Sequence, residues 1–388
     1  MVSIIVAILN NEAYIDRCIE SILAQTYQNF EVLLMVGLCQ DASLEKCIYW
    51  QKKDNRIIIV SRKDTSLGDA RNYALPMAKG EFIAYIDGDD SIEGDYLEKL
   101  VRPLEMFRDV DFSACGYGEY CEGNLAAAHI PKQEGLQQID FDGYLDLGIF
   151  VTVWVKMYRK KFLTDFGINM FDGLCEDEGH QFMLAAFVRK VYIVCEPLYR
   201  YNVSNPNSLI TARTMEARLD YVRSMDFAIV NMKNRHVYEK NRNNLKFKVC
   251  AALQTFLVTF GYRQDMVKAY RDFVRRNFPE MNDLMRYSSV KMDGRVFIMY
   301  GAGKDAERVI RALPEGTKVS YVVDGDCKKV GGTIMGIEIK SVDDLKKKPK
   351  DTPILISSRK YMFEIARGLK EKGFEEIYYP MDVLSAKK

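Results

Sequence analysis

Three aspartates within four positions, Asp87-Gly88-Asp89-Asp90, directly follow the apolar run Phe82-Ile83-Ala84-Tyr85-Ile86. The carboxyl ends of strands are where an open α/β sheet binds its ligands. Carboxylates crowded there repel one another unless a cation neutralises them. Hard oxygen donors with little histidine nearby suit Mg²⁺ or Mn²⁺, and such an ion usually binds together with a substrate's phosphates rather than in an all-protein cage. The tetrad therefore fits a metal–diphosphate site. Taken alone it also fits an acidic cap, because Asp95 and Glu98 continue the charge and carboxylates favour a helix N-terminus. A second acidic group, Glu176-Asp177-Glu178, reads by itself as a charge cluster at the start of a helix.

What these residues can do depends on the elements that hold them. The chain opens with Val2-Ser3-Ile4-Ile5-Val6-Ala7-Ile8, nearly all apolar, as in a strand buried on both faces of a parallel sheet. Between Glu12 and Ala24, Ile15, Ile19, Ile22 and Leu23 recur at helical spacing, with Asp16, Arg17 and Glu20 on the other face. The pattern then predicts strands over 30–36 and 57–60, helices from Ser43 and over 69–77, and the strand entering the tetrad. An amphipathic helix over 95–107 and a short strand over 111–115 follow. Such alternation specifies a right-handed parallel α/β layer with the tetrad at its carboxyl edge.

A chain of 388 residues is long enough for two or three domains, each with its own core. The net charge of +1 excludes a globally basic nucleic-acid binder. Nine scattered cysteines without a C-x-x-C pair point to reduced thiols in a cytosolic compartment. His129, His180 and His236 lie far apart and lack zinc spacing. No apolar stretch approaches bilayer length, and no basic segment leads into a hydrophobic core at the amino terminus. A cytoplasmic protein, at most peripheral at a membrane, is expected.

From about Ala212 to Ser289 strand signals vanish and helical segments rich in Met, Tyr, Phe, Arg and Lys take over. The run Lys233, Arg235, Lys240, Arg242, Lys246 and Lys248 suits either anionic headgroups or a solvated helical face. A new α/β unit starts at Arg295. Its strand over 296–300 leads into Gly301-Ala302-Gly303-Lys304-Asp305-Ala306, a helix through Leu313, and a strand over 319–323 ending at Asp324. This is the G-x-G-x-x-A form of the dinucleotide fingerprint with an acid at the ribose spacing. Gly301, Gly303 and Asp324 thus mark a second candidate nucleotide site, although the same glycines serve a tight turn and close packing without any ligand. A strand over 353–357 and a helix over 362–372 complete the small sheet. The chain divides into three parts: 1–211, 212–290 and 291–388.

Taken together, Ser3-Ile4-Ile5-Val6 with Asn10 and Glu12, Ser21-Ile22-Leu23-Ala24-Gln25-Thr26-Tyr27, Ala70-Arg71-Asn72 and the stretch from Gly80 to Asp90 resemble the family 2 glycosyltransferases. The resemblance covers roughly the first 210 residues. It implies an α/β fold class: a GT-A nucleotide-diphospho-sugar transferase domain, then the helical middle region and a small Rossmann-like domain. It further implies an inverting transferase that takes a nucleotide-sugar donor and Mn²⁺ or Mg²⁺. The acceptor would be a glycan or lipid-linked glycan in cell-surface polysaccharide synthesis at the inner membrane face. By this resemblance Asp87 and Asp89 contact the ribose and the metal-bound diphosphate, with Asp87 for the ribose and Asp89 for the metal, Asp90 supports them, and Arg71, Asn10 and Glu12 stand on the nucleotide-sugar side. Leu174-Cys175-Glu176-Asp177-Glu178, followed by Glu196 to Tyr201, resembles the family's acceptor motif. Asp177 is then the base, with Glu176, Trp154 and Lys156 on the acceptor side. Inversion requires such a base, because the acceptor hydroxyl must lose its proton as it attacks opposite the departing diphosphate. A homo-oligomer and peripheral membrane contact complete the expectation.

The chain also departs from the family. Met35-Val36-Gly37-Leu38-Cys39 replaces the usual Val-Asp-Asp-Gly-Ser, leaving Asp41 and Ser43 downstream, and Ala7 and Leu9 stand where relatives place proline and tyrosine. Uridine specificity is therefore not implied. These changes support a second reading, a non-catalytic nucleotide- or partner-binding scaffold with a degenerate transferase domain. A nucleotidyltransferase would need a basic, glycine-rich phosphate loop near the first strand, which is absent. The carboxy-terminal unit resembles Rossmann-like domains attached to sugar-modifying enzymes, and no tyrosine–lysine pair marks it for redox chemistry.

Overall fold

The computed structural model describes residues 1–63, 66–146, 151–206, 215–246, 248–249, 264–281, 294–313, 315–358 and 361–379. It forms two compact units, Met1–Asn244 and Leu245–Lys388.

In the first unit, β1 (Val2–Ile8) is buried at all seven positions because it runs through the middle of four parallel strands. These lie in the order β3 (Ile57–Ser61), β2 (Phe30–Val36), β1, β4 (Phe82–Asp87). A glycine admits β4 to this position. A Cβ at Gly80 would stand 2.5 Å from the Ser3 amide nitrogen, and the Gly80 amide instead donates to Ser3 Oγ at 2.7 Å. The helix Ile15–Leu23 covers one face with Ile15, Cys18, Ile19 and Ile22. The helix Leu67–Met77 starts at Ser66, whose Oγ accepts from the Asp69 amide, a common N-cap bond.

Beyond β4 the sheet turns mixed. β9 (Lys156–Arg159) runs antiparallel to β4 and to β6 (Phe112–Cys121), β10 (Lys190–Asn202) runs parallel to β6, and β5 (Ser91–Ile92) closes the edge. β7 (Asn124–His129) and β8 (Gly135–Gln138) extend β6 and β10 as antiparallel strands. The carboxyl ends of β4 and β10 meet, and there the acidic tetrad sits.

The helix Met215–Asn234 belongs to this first unit rather than to a separate middle part. It packs on the helix Glu176–Phe187, where a Cβ at Gly179 would stand 2.3 Å from the Ser224 carbonyl and the Gly179 amide donates to Ser224 Oγ at 2.8 Å. The two compact units divide at Asn244/Leu245, whereas composition suggests boundaries at 211 and 290.

In the second unit five parallel strands lie in the order β14 (Ile337–Ser341), β12 (Lys318–Asp324), β11 (Val296–Tyr300), β15 (Ile354–Ile356), β16 (Ile377–Tyr378), with β13 (Thr333–Ile334) antiparallel on β14. Counted from β11 this is the doubly wound arrangement. Phe297, Met299, Val322, Ile339 and Leu355 form its core with Ala306 and Val309 of the helix Lys304–Ala312.

Candidate active site

Each aspartate of the tetrad has different partners. Asp90 is fully buried. Its two oxygens accept the Tyr199 hydroxyl and the Asn202 amide, each at 2.7 Å. Burial first, then Asp89 and Asp87, push its pKa well above the usual carboxylate range. Asp89 Oδ2 accepts Asn205 Nδ2 at 2.7 Å, and burial followed by Asp87 raises this group too. Arg17 donates to the Asp89 carbonyl rather than to its side chain. Asp87 Oδ1 accepts Arg71 Nη2 at 2.5 Å, and its amide donates to the Tyr199 hydroxyl.

This donor set fits a hard divalent cation. Asp89 Oδ1 accepts no hydrogen bond from another residue among those described, and its carboxylate shares a poorly solvated corner with Asp87. A positive ion there would relieve the burial and repulsion that raise its pKa. Among the described residues no three His, Cys, Asp or Glu side chains converge into a metal cage. A Mg²⁺ or Mn²⁺ site made of one or two carboxylates and substrate phosphates needs none. Asp90, already saturated by Tyr199 and Asn202, is left as a support.

The second acidic group reaches the first through one arginine. Arg71 is 2% exposed and donates from Nη2 to Asp87 and from Nη1 to Glu176 Oε1, each at 2.5 Å. Burial works against its charge, but Asp87 and then Glu176 outweigh burial and keep its pKa above the ordinary value. Arg71 was expected on the nucleotide side. It instead spends its guanidinium holding the two motifs together, and its Nε is buried without a partner among the described residues.

The helix bearing Glu176 begins after Cys175, whose φ of 62° lies in the left-handed region that a non-glycine residue rarely adopts. That turn brings Asp177 near Lys156. Burial raises the Asp177 pKa, with Arg71 and Lys156 opposing. Lys156 is itself fully buried, donates Nζ to the Thr152 carbonyl at 2.7 Å, and is brought down by burial to about 7 against the pull of Asp177. His180 is lowered to about 3 by burial and then Lys156, so it is neutral near pH 7. Glu178 turns to the Tyr221 hydroxyl and Gln181. Trp154 is 7% exposed, and its ring stacks on Tyr199 at 4.2 Å.

Asn10 and Glu12 lie at the same edge but are occupied with loop structure. Asn10 has a φ of 55° and accepts the Gln40 amide, while Glu12 accepts the Ala42 amide and donates its own amide to Asp41. They lace the loop after β1 to the loop after β2. Tyr199, Asn202 and Asn205 hold Asp90 and Asp89, a pairing the sequence does not announce. The Glu196–Tyr201 phrase points to the end of β10, but nothing local in it shows a partner for an aspartate about a hundred residues earlier.

In the second unit, Gly301 has a φ of 107°, and a Cβ there would meet Ser357 Oγ at 2.9 Å; at Gly303 a Cβ would meet nothing within 4 Å. Asp324 Oδ2 accepts the Ala302 amide at 2.6 Å and Oδ1 the Asp326 amide at 2.8 Å, with Lys329 Nζ 3.3 Å away. Its carboxylate thus ties down the glycine loop. Within the basic run, Arg235 donates to the carbonyls of Phe166 and Gly167, and Lys233 lies over the Tyr238 ring. Arg235 thus clamps the turn at Phe166 and Gly167. No helix among the described residues is long and apolar enough to cross a membrane.

Residues 3–166 match glycosyl transferase family 2, and residues 292–377 match the C2185-like N-terminal family. An uncharacterized glycosyltransferase of Methanocaldococcus jannaschii is 34% identical over 221 residues, covering 54% of this chain and 73% of that protein. The chain belongs to glycosyl transferase family 2. The putative glycosyltransferase EpsH of Bacillus subtilis is 31% identical over 215 residues, 52% of this chain and 60% of EpsH. The chain likewise spans 62% of the B. subtilis glycosyltransferase EpsJ. Among solved structures, residues 1–349 of S. aureus TarS in complex with UDP-GlcNAc align with a TM-score of 0.60 at 19% identity, over 73% of this chain and 83% of that one. That likeness is one of fold.

Proposed function

We propose that this chain is a metal-dependent, inverting glycosyltransferase that moves a sugar from a nucleotide-sugar donor to a glycan acceptor in cell-surface polysaccharide synthesis. The observation that carries the reading is the Arg71 bridge. It sets the donor-side carboxylates at the end of β4 beside the acceptor-side helix bearing Asp177, although the two groups lie about ninety residues apart in sequence. TarS, which shares the fold, has been solved with UDP-GlcNAc and with UDP, in keeping with a nucleotide-sugar donor here.

Asp89, with Asp87 beside it, would hold Mn²⁺ or Mg²⁺, which supplies charge neutralisation for the departing diphosphate. Asp90 keeps the turn rigid through Tyr199 and Asn202. Asp177 takes the proton of the acceptor hydroxyl. Arg71 and Lys156 oppose the effect of burial on Asp177, and that opposition favours the ionised form a base requires. Glu176 positions Arg71 and, through it, Asp87.

Purified protein with Mn²⁺ and a panel of nucleoside-diphosphate sugars is expected to release nucleoside diphosphate and, with acceptor present, to transfer sugar. Asp177→Asn should lose transfer by about 10²–10⁴-fold, the usual worth of a positioned general base. Asp89→Asn should lose both reactions and the metal-dependent nucleotide binding. Tight Mn²⁺-dependent nucleotide binding without turnover of any donor would favour the scaffold reading instead.

A further inference from the structure

The part of the sheet that runs past the tetrad carries a row of rings that the two acidic motifs leave unexplained. In the strand register Tyr199 lies opposite Tyr117, Tyr201 opposite Glu119, and Tyr117 opposite His129. Residues two apart on a strand share a face, so all five stand on one side of the sheet. Trp154 backs the row. Its ring stacks on Tyr199 at 4.2 Å and on Tyr201 at 5.5 Å, and meets Tyr117 edge-on at 5.0 Å. Tyr117 and His129 stack at 4.5 Å, and His129 Nε2 lies 2.9 Å from Glu119 Oε1.

Exposure rises along the row in one direction. Tyr199 is fully buried, Trp154 nearly so, Tyr201 and Tyr117 are half-buried, and the side chains of His129 and Glu119 are 38% and 33% exposed. The buried end is continuous with the candidate active site, since the Tyr199 hydroxyl donates to Asp90 and accepts from the Asp87 amide. Two residues after Trp154 stands the buried Lys156, whose ammonium Asp177 helps to keep charged against burial. Rings that emerge step by step from the core, with a carboxylate and an imidazole at the outer end, match the two-sided chemistry of a sugar. Its C–H face packs on aromatic rings and its hydroxyls need polar partners.

We infer that Tyr201, Tyr117 and His129, with Glu119 at the rim and Trp154 as backing, form a saccharide-binding track for the acceptor glycan, directing its growing end towards the two acidic motifs. The inference rests on the transferase reading and adds to it the side chains that hold the acceptor.

Saturation-transfer NMR with the methyl glycosides of glucose, galactose, mannose and N-acetylglucosamine tests it on the full chain. At least one glycoside should receive saturation at its ring C–H protons. Tyr201→Leu keeps apolar volume but loses the ring, and His129→Ala alters only a partly exposed side chain; each should weaken binding on the order of fivefold, whereas Tyr201→Phe should retain it. Undiminished saturation in both Tyr201→Leu and His129→Ala, or none from any glycoside to the folded wild type, would overturn the track. Thermal stabilisation by UDP or GDP with Mn²⁺ reads the donor side separately. A chain stabilised by nucleotide but blind to every glycoside loses the track and keeps the transferase reading. A chain that binds glycosides through Tyr201 but no nucleotide keeps the track and loses that reading.

Discussion

Two strand ends in this chain carry acids at ligand-binding positions, and the structure treats them in opposite ways. At the end of β12, Asp324 is saturated by the Ala302 and Asp326 amides and by Lys329. These partners outweigh burial and hold its pKa below the usual value. At the end of β4, burial and mutual repulsion raise Asp89 and Asp90, and the cations near them are directed elsewhere: Arg17 to a backbone carbonyl, Arg71 to Asp87 and Glu176. A satisfied acid stabilises its loop, while Asp89, whose Oδ1 accepts no hydrogen bond from another described residue and whose pKa is raised by burial and by Asp87, makes a place for something positive to bind. The same kind of motif thus has its charge compensated in one unit and left partly uncompensated in the other.

Breaking each cluster at its cation should show the difference most strongly. Arg71→Met would leave the buried Glu176 and the partly exposed Asp87 without their shared partner and should cost about 3 kcal/mol, read from urea unfolding. Lys329→Met removes a half-exposed partner of Asp324 and should cost less than about 1 kcal/mol. Equal effects would erase the distinction between the two strand ends.

The acceptor side of the first unit should also carry a pH signature. Lys156 has a folded pKa of about 7, below its unfolded value. Between those two values the unfolded chain binds more protons, so the contribution of Lys156 to stability is least favourable below its folded pKa and improves as pH rises through it. Lys156→Met should therefore gain stability relative to wild type most at pH 6 and least near pH 9, with a slope of up to about 1.4 kcal/mol per pH unit inside the window. A difference independent of pH would place this ammonium in water. The smallest contrast lies within the glycine loop: Gly301→Ala should lower stability by about 1 kcal/mol or more, because its φ is positive and Ser357 crowds the new methyl. Gly303→Ala, with open space at its Cβ, should change it by only a few tenths. Thermal melts of the two variants would separate them.

Much of this architecture could be read from local pattern. The continuous apolar runs at 2–8, 30–36 and 82–86 became the central strands, since a strand covered on both faces must be apolar at nearly every position. The period of Ile15, Ile19 and Ile22 became a buried helix face. β7 and β8 were not legible, because their small and polar residues at a sheet edge carry too little alternation to distinguish them from loop. Nor could composition show that the helix Met215–Asn234 docks on the helix Glu176–Phe187, a contact in which Gly179 faces Ser224 and Tyr221 reaches Glu178.

By itself, the sequence determined the alternating strands and helices over residues 2–115, the acids at the end of β4, the second acidic group and the glycine loop, because periodicity and residue type act over a few neighbours. Only the tertiary structure decided what each acid meets: Tyr199, Asn202 and Asn205 for the tetrad, Arg71 between Asp87 and Glu176, and the Ala302 amide for Asp324. A carboxylate's charge state follows from its burial and its partners, and in the first unit those partners come from strands and helices far along the chain.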